Sequence, residues 1–321
     1  MTEYTKPPLD ENLYKTSDAD LAFVKAQSGI QDPDELKKHV LAVQKKAYDS
    51  YGHHCIRSFA FTRTKISTLP AYQQVLALGR ERPGAILLDL GCCFGTDIRK
   101  AASDGFPQQN LIASDLRPGK SRYPRVQSLL LISCKVFWNL GHELFRSTPE
   151  TFPIAFLAGD ALDPAFLEPS PPFASPADVS TPAPAPLTAL TSLTPLRGHV
   201  AAIHISSVFH LFFEPQQLQL ARALAGLLSP VPGSVIFGAH VGRGTKGFRE
   251  EALCSGGHHM FCHSPDSWKA MWEEVFPEGT VKVDAKLISR EKVDTNLSSS
   301  DKTTGDRSTE AGFMRWSVTR I

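Results

Sequence analysis

Three short apolar runs in this chain of 321 residues each end at a carboxylate. Residues 85–90 (Ala-Ile-Leu-Leu-Asp-Leu) carry Asp89 and pass directly into Gly91-Cys92-Cys93-Phe94-Gly95; residues 111–114 lead to Asp115; residues 154–158 lead to Gly159 and Asp160. Ionised carboxylates only accept hydrogen bonds, and they hold hydroxyl and amino donors strongly. A turn with glycines lets backbone approach a ligand closely, and the first strand-to-helix turn of an open parallel sheet is where such sheets hold nucleotides. The dinucleotide fingerprint is missing, because its second and third glycines, counted from Gly91, fall on Cys93 and Thr96. No Gly-Lys-Ser/Thr follows at the spacing of a P-loop either. Each carboxylate taken alone also has a structural role open to it: Asp89 as a cap, Asp115 as a solvated turn residue, Asp160 as the N-cap of a short helix.

The elements that must position these groups follow from periodicity. The short apolar run at 85–90 fits a strand buried on both faces, and further strands are expected at 111–114, 154–158, 200–206 and 234–240, with two late ones near 285–289 and 314–321. Helices are expected at 96–104, at 264–275, and after Glu214-Pro215, where Leu218, Ala221, Leu224 and Leu228 share a face. Upstream, Asp32 as N-cap, Pro33 in the first turn and Glu35 at the capping-box position start a helix. Its Leu36, Val40, Val43 and Ala47 form one stripe; another helix is expected at 69–78, residues 51–61 read as irregular, and residues 1–30 read as a tail or outer cap. The alternation of strands and helices predicts an α/β fold, a doubly wound, mostly parallel sheet closed by a hairpin. Residues 1–68 would be a tail and helical cap, and 69–321 the main domain.

Composition narrows the class. Apolar residues make up 42% and charged residues 21%, the balance of a globule with a real core. The charge sum is 34 − 33 = +1, so no broad field favours nucleic acid or an anionic membrane. No apolar run has the length of a membrane span, the first nine residues lack a signal-peptide core, and six cysteines, two of them adjacent, do not make a disulfide framework. A reduced, cytoplasmic protein is expected.

Two segments break the strand–helix rhythm. Residues 168–198 hold eight of the 24 prolines and only three charged residues, which predicts a disordered Pro/Ala-rich insertion. Residues 119–135, Gly-Lys-Ser to Cys-Lys, separate Asp115 from Phe137-Trp138 where a short connection is expected. Gly-Lys-Ser can be encoded by an intron donor string and Cys-Lys by an acceptor, so this stretch is either a retained intron in the gene model or a true helical insertion. Residues 294–312 read as a flexible loop between the last two strands.

Residues 88–95, Leu-Asp-Leu-Gly-Cys-Cys-Phe-Gly, resemble motif I of the class I S-adenosylmethionine-dependent methyltransferases. Within that class, Cys55-Ile-Arg-Ser-Phe59, the stretch from Phe137 to Phe145 and the stretch from Ser206 to Phe212 resemble the fungal O-methyltransferases of meroterpenoid and related secondary metabolism. The likeness covers about residues 55–321 and implies a seven-stranded, Rossmann-like sheet with S-adenosylmethionine as cofactor. It implies a binding set of Asp89, Gly91, Cys93 and Gly95 in the turn, Asp115 with Leu116 at the ribose, and Asp160 with Ala161 at the adenine. Ribose hydroxyls and the adenine amino group are donors that carboxylates accept well. One departure stands out: Cys93 occupies the middle glycine position of the usual turn.

The acceptor is expected to be oxygen, since the Asn/Asp-Pro-Pro-Tyr/Phe motif of many amino-directed enzymes is replaced by His204-Ile-Ser-Ser-Val-Phe-His210. A carboxylate acceptor is already ionised and needs no base, whereas a phenol or alcohol benefits from one. His210 and His240, near the ends of the fourth and fifth strands, are the catalytic or positioning candidates, and mid-strand His204 reads as a core histidine. Cys254, His258, His259, Cys262 and His263 have no matching zinc spacing, so no metal is expected. That segment reads as a hinged loop over an acceptor pocket, with Phe248, Met260, Phe261 and Trp268 as apolar lining. The reading is an O-methyltransferase acting on a carboxylate or hydroxyl of a small apolar metabolite. The alternative is a methyltransferase-like regulatory or interaction protein, which a loop displaced by residues 119–135 would favour. A nicotinamide oxidoreductase would need the missing glycines.

Overall fold

In the computed structural model, which describes residues 7–116, 136–253, 258–289 and 311–321, the apolar run at 85–90 becomes the central strand β1 (Ile86–Leu90), buried along its whole length. The remaining strands are β2 (Leu111–Leu116), β3 (Ala155–Gly159), β4 (Val200–His204), β5 (Val235–Arg243), β6 (Gly247–Leu253), β7 (His259–Cys262), β8 (Val281–Ser289) and β9 (Ala311–Arg320). Seven form one sheet in the order β3-β2-β1-β4-β5-β9-β8. Strands β1 to β5 run parallel, and β9 inserts antiparallel between β5 and β8. The strand order reverses direction at β1, between β2 and β4, which places a switch-point crevice at the carboxyl ends of these strands.

Helices cover both faces. α4 (Tyr72–Glu81) and α5 (Thr96–Ser103) pack with Leu87 on one side; α7 (Glu214–Leu227) and α8 (Pro265–Val275) pack with Leu88 and Leu90 on the other. Alternation along β1 therefore sends Asp89 to the α4/α5 side. A third apolar cluster joins α1 (Asp18–Ser28), α2 (Pro33–Ser50) and α3 (His54–Arg57) to Phe94 in the turn and to the helix α6 over 136–144. The α2 signals act as expected: Asp32 Oδ1 accepts the Glu35 N–H at 2.8 Å, and Leu36, Val40, Val43 and Ala47 are fully buried.

Some expectations are corrected. Residues 168–198 do not form a disordered insertion: 3-10 turns at Pro176–Asp178, Leu187–Ala189 and Thr194–Leu196 carry Leu187, Leu193 and Leu196 into the main core. Proline there blocks long helices and strands but tolerates short 3-10 turns, whose side chains recur every third residue. The expected loop at 254–263 is partly strand, since β7 pairs antiparallel with β6. The irregular 51–61 stretch contains α3. The late strands start earlier than expected, at Val281 and Ala311. The segment 119–135, Cys254, and the loop from 294 to 310 lie outside the described residues. Among the described residues, no helix is long and apolar enough to cross a membrane.

Candidate active site

The turn after β1 is tied to β2: the N–H groups of Gly91 and Cys92 both donate to the Ser114 carbonyl, at 2.8 and 3.1 Å. Gly91 (φ 81°), Cys93 (φ 52°) and Gly95 (φ 70°) all lie in the left-handed region. The expected reason for glycine is revised in part. A Cβ on Gly91 would collide with Val208, and one on Gly95 would sit 2.5 Å from the Trp138 ring, so the space left open there is filled by protein. These glycines supply backbone conformation and close packing of β4's exit and α6 against the turn. Cys93 accepts the same left-handed conformation despite its side chain, and its thiol pairs with Cys55 of α3. That hydrogen bond pulls Cys55 down to about 7. The bond, burial and nearby charges including Asp115 push Cys93 up.

The strand ends line up along one edge of the sheet. Asp115, the penultimate residue of β2, is half-buried, with its register partner Ala158 on β3, and its charge reaches the Cys93 thiol. Asp160 follows β3, also half-buried; its Oδ1 accepts the Leu162 N–H at 2.9 Å, and burial raises its pKa against that bond. Asp160 thus caps its own turn while Ala161 is buried beside it. The turn, Asp115 and Asp160 are brought to one rim. The side chain of Leu116 lies outside the described residues.

Asp89 faces inward. Its Oδ1 lies 2.7 Å from His204 Nδ1, and the two side chains are 2% exposed. His204 Nε2 reaches Ser206 Oγ at 2.8 Å, and that oxygen accepts the Ala239 N–H at 3.2 Å. Burial alone would lower the His204 pKa, but the charge and hydrogen bond of Asp89, helped by Asp97, raise it above the ordinary histidine value. Asp97 opens α5 and accepts the Ile66 N–H at 2.8 Å. Asp89 Oδ2 is buried with no partner among the described residues. Sequence reasoning placed Asp89 at the ligand; in the structure one of its oxygens is committed to His204.

A second group lies across β4 and β5. His210 and His240 have ring centroids 6.5 Å apart, and both are buried. The Trp316 Nε1–H donates to His240 Nδ1 at 2.9 Å, so the proton of His240 sits on Nε2, which has no partner among the described residues. His210 Nδ1 accepts the Val241 N–H at 3.4 Å. Burial, aided by the charge of Arg249, lowers His210 to about 4, and burial holds His240 well below its ordinary value. Phe209, Trp268 and Trp316 pack edge to face with one another around His240, with Phe209–Trp268 centroids at 4.8 Å. The β6–β7 hairpin covers this box, tied down where Gln217 Nε2 donates to the Phe261 carbonyl at 2.9 Å. Phe261 and Trp268 are buried and Met260 is half-buried in the packing around these histidines, while Phe248 is 46% exposed at the outer edge beside Phe213.

Arg249 was missed by sequence reasoning, and His263 was weighed there only as a metal ligand. Both lie on the hairpin or its exit and are buried, at 5% and 2% exposure. The available signal was the alternation around Phe248-Arg249 and Phe261-His263, obscured by reading the segment as a loop. No group of three or more His, Cys, Asp or Glu among the described residues is arranged to hold a metal.

Residues 9–62 match a family described as the meroterpenoid methyltransferase N-terminal domain. The O-methyltransferase phiE of Fungal sp. (strain ATCC 74256) is 28% identical over 77% of this chain and 67% of that protein. An O-methyltransferase of Stereocaulon alpinum is 30% identical over 79% of this chain but only 61% of its own length. The Asnovolin E/Chermesin D methyltransferase nvfJ of Aspergillus novofumigatus is 30% identical over 75% of this chain and 70% of that protein. The chain thus spans roughly two thirds of the length of these relatives.

Proposed function

Because the chain belongs to the family of fungal methyltransferases that contains the meroterpenoid enzymes, we propose that it transfers a methyl group from S-adenosylmethionine to an oxygen of a small, largely apolar metabolite. The observation that carries the reading is the row of strand-end carboxylates beside the glycine turn at the switch point. Asp115 and Asp160 are half-exposed acceptors at that rim, so the residues present fit a ligand that offers hydroxyl and amino donors. Asp115 would take the ribose hydroxyls, Asp160 the adenine amino group, and the N–H of Ala161 would face the ring. S-adenosylmethionine, when bound, supplies the activated methyl.

A carboxylate is favoured as the acceptor over a hydroxyl. His210, held near 4, and His240, held lower still than a free imidazole, are poor bases for a phenol or alcohol. An acceptor carboxylate is ionised at neutral pH and needs only to be oriented in a water-poor box. The His240 Nε2–H can orient an acceptor oxygen, and the positive charge of Arg249 beside His210 favours an anion there. The aromatic walls suit a terpenoid or polyketide body, in keeping with the meroterpenoid methyltransferase family that residues 9–62 match. We assign the protein to the cytoplasm on its charge balance and cysteine pattern.

The test is incubation of the protein with S-adenosylmethionine and a panel of terpenoid acids and their alcohols, followed by mass spectrometry. Gain of one CH₂ on an acid, with a saponifiable ester as product, is the expected outcome. Binding of S-adenosylhomocysteine without turnover on any oxygen acceptor would favour a regulatory protein instead.

A further inference from the structure

Away from the turn, α5, the cap helix α1 and the chain between α6 and β3 line a pocket of about 320 Å³. Its walls include Arg99, Gln27, Gln108, Arg146, Ser147 and Phe152. None of the strand-end carboxylates and none of the turn residues 91–95 lines it.

Arg99 is the unusual member. Its side chain belongs to a residue only 2% exposed, with the guanidinium carbon 4.1 Å from the Phe152 ring centroid and 4.9 Å from that of Phe145. Nη2 donates to His142 Nδ1 at 3.3 Å, and Nε is buried with no partner among the described residues. A guanidinium only donates, so His142 Nδ1 must accept; that imidazole is neutral and brings no counter-charge. Burial lowers the Arg99 pKa to about 10, which leaves it cationic at neutral pH. No carboxylate lies within ion-pair distance of it among the described residues, while its neighbour Arg146 at the rim is paired with Glu35 at 3.0 Å. A buried cation without an anion is strongly penalised, and aromatic faces return only part of that loss. Polar groups already converge on the gap: the amides of Gln27 and Gln108, and Ser147, whose Oγ lies 2.9 Å from His142 Nδ1.

We propose that this pocket is a binding site for a small oxyanion, a carboxylate or a phosphate group, with Arg99 as the counter-ion it lacks within the chain. The planar guanidinium matches both groups in geometry, and the polar rim satisfies the remaining oxygens. The site is separate from the proposed methyl-transfer crevice. It shares α5 with it, since the helix that carries Arg99 begins at the end of the turn.

The experiment is calorimetric titration and thermal-shift measurement on the full chain with sodium phosphate and with sodium acetate, at ionic strength held constant with chloride. Saturable binding of at least one probe is expected; phosphate alone assigns a phosphate group, and acetate a carboxylate. Arg99→Gln should weaken that binding by about tenfold or more. Should that variant fail to fold, Arg146→Gln, at the exposed rim, should still weaken it several-fold. The proposal is overturned if neither probe binds saturably, or if binding is the same in the wild type and in both variants. A structural cation held only by its aromatic neighbours would give that result, and because no methyl transfer is read, failure here is distinct from failure of the proposed activity.

Discussion

Asp89 and His204 occupy matched positions on adjacent parallel strands, and their side chains form a 2.7 Å hydrogen bond beneath the turn that follows β1. A carboxylate at a strand end is read from sequence as a ligand contact, yet here it also neutralises a buried imidazole. The pair locks β1 to β4 at the switch point, and through Ser206 it reaches β5. The same contacts hold the backbone from which the turn and the 206–209 segment depart, so the rim beside the glycine turn and the histidine box rest on one polar spine.

Asp89→Asn tests that spine. Breaking a buried pair costs about 3–5 kcal/mol, so chemical denaturation should show a large loss. The folded pKa of His204 is raised, so the pair's contribution is complete below the ordinary value of 6.5 and is lost as pH rises through the folded value. Wild-type stability should therefore fall over that window, and the variant should lack that limb. With the carboxylate gone, burial dominates and the His204 titration followed by NMR should move below 6.5. An unmoved titration would mean that Asp89 does not hold the proton.

Asp115→Ala tests the ribose assignment. Removing one or two charge-assisted hydrogen bonds should weaken S-adenosylhomocysteine binding by roughly 2–3 kcal/mol in calorimetry. Because Asp115 is half-buried at a strand end, thermal stability should change far less than affinity. Equal affinity in the variant would remove Asp115 from the cofactor site.

A third prediction concerns pH. With His210 near 4 by burial and the charge of Arg249, its imidazole stays neutral across about pH 5 to 8. Methyl transfer to a carboxylate should then show a flat kcat/KM over that range. His210→Gln should lower kcat while leaving S-adenosylhomocysteine affinity unchanged. A rise in rate with an apparent pKa near 6.5 would show instead that a solvent-like histidine acts as base.

Much of this architecture is legible in the sequence for physical reasons. Parallel strands buried on both faces give dense apolar runs, as at 85–90, and Asp32, Pro33 and Glu35 spell the start of α2 through local hydrogen bonding alone. The strand-end positions of Asp115 and Asp160 follow from the same runs. What escaped depends on partners distant in sequence. Nothing local tells Asp89 that His204 will face it, 115 residues later, or tells Gly95 that Trp138 will fill the space beside it. The β6–β7 hairpin was hidden because histidines and glycines interrupt its alternation.

The Pro/Ala-rich stretch supplies the last prediction, because its misreading had a visible antidote. Leu187, Leu190, Leu193 and Leu196 recur every third residue, the repeat that stacks side chains on one face of a 3-10 turn. Leu193 and Leu196 are fully buried and Leu187 nearly so, and the Leu193 N–H donates to the Phe166 carbonyl at 2.9 Å, pinning the stretch beside β3. Arg320 at the end of β9 reaches across to the Phe173 carbonyl at 2.9 Å. Composition counts prolines, whereas packing depends on where the leucines fall between them. Leu193→Ala should therefore cost about 2–5 kcal/mol in denaturant unfolding, as for any core leucine, and proteolysis should leave residues 168–198 intact in the wild type but nick them in the variant. A Leu193→Ala protein as stable as the wild type would return this segment to the surface and remove it from the core that supports β3 and Asp160.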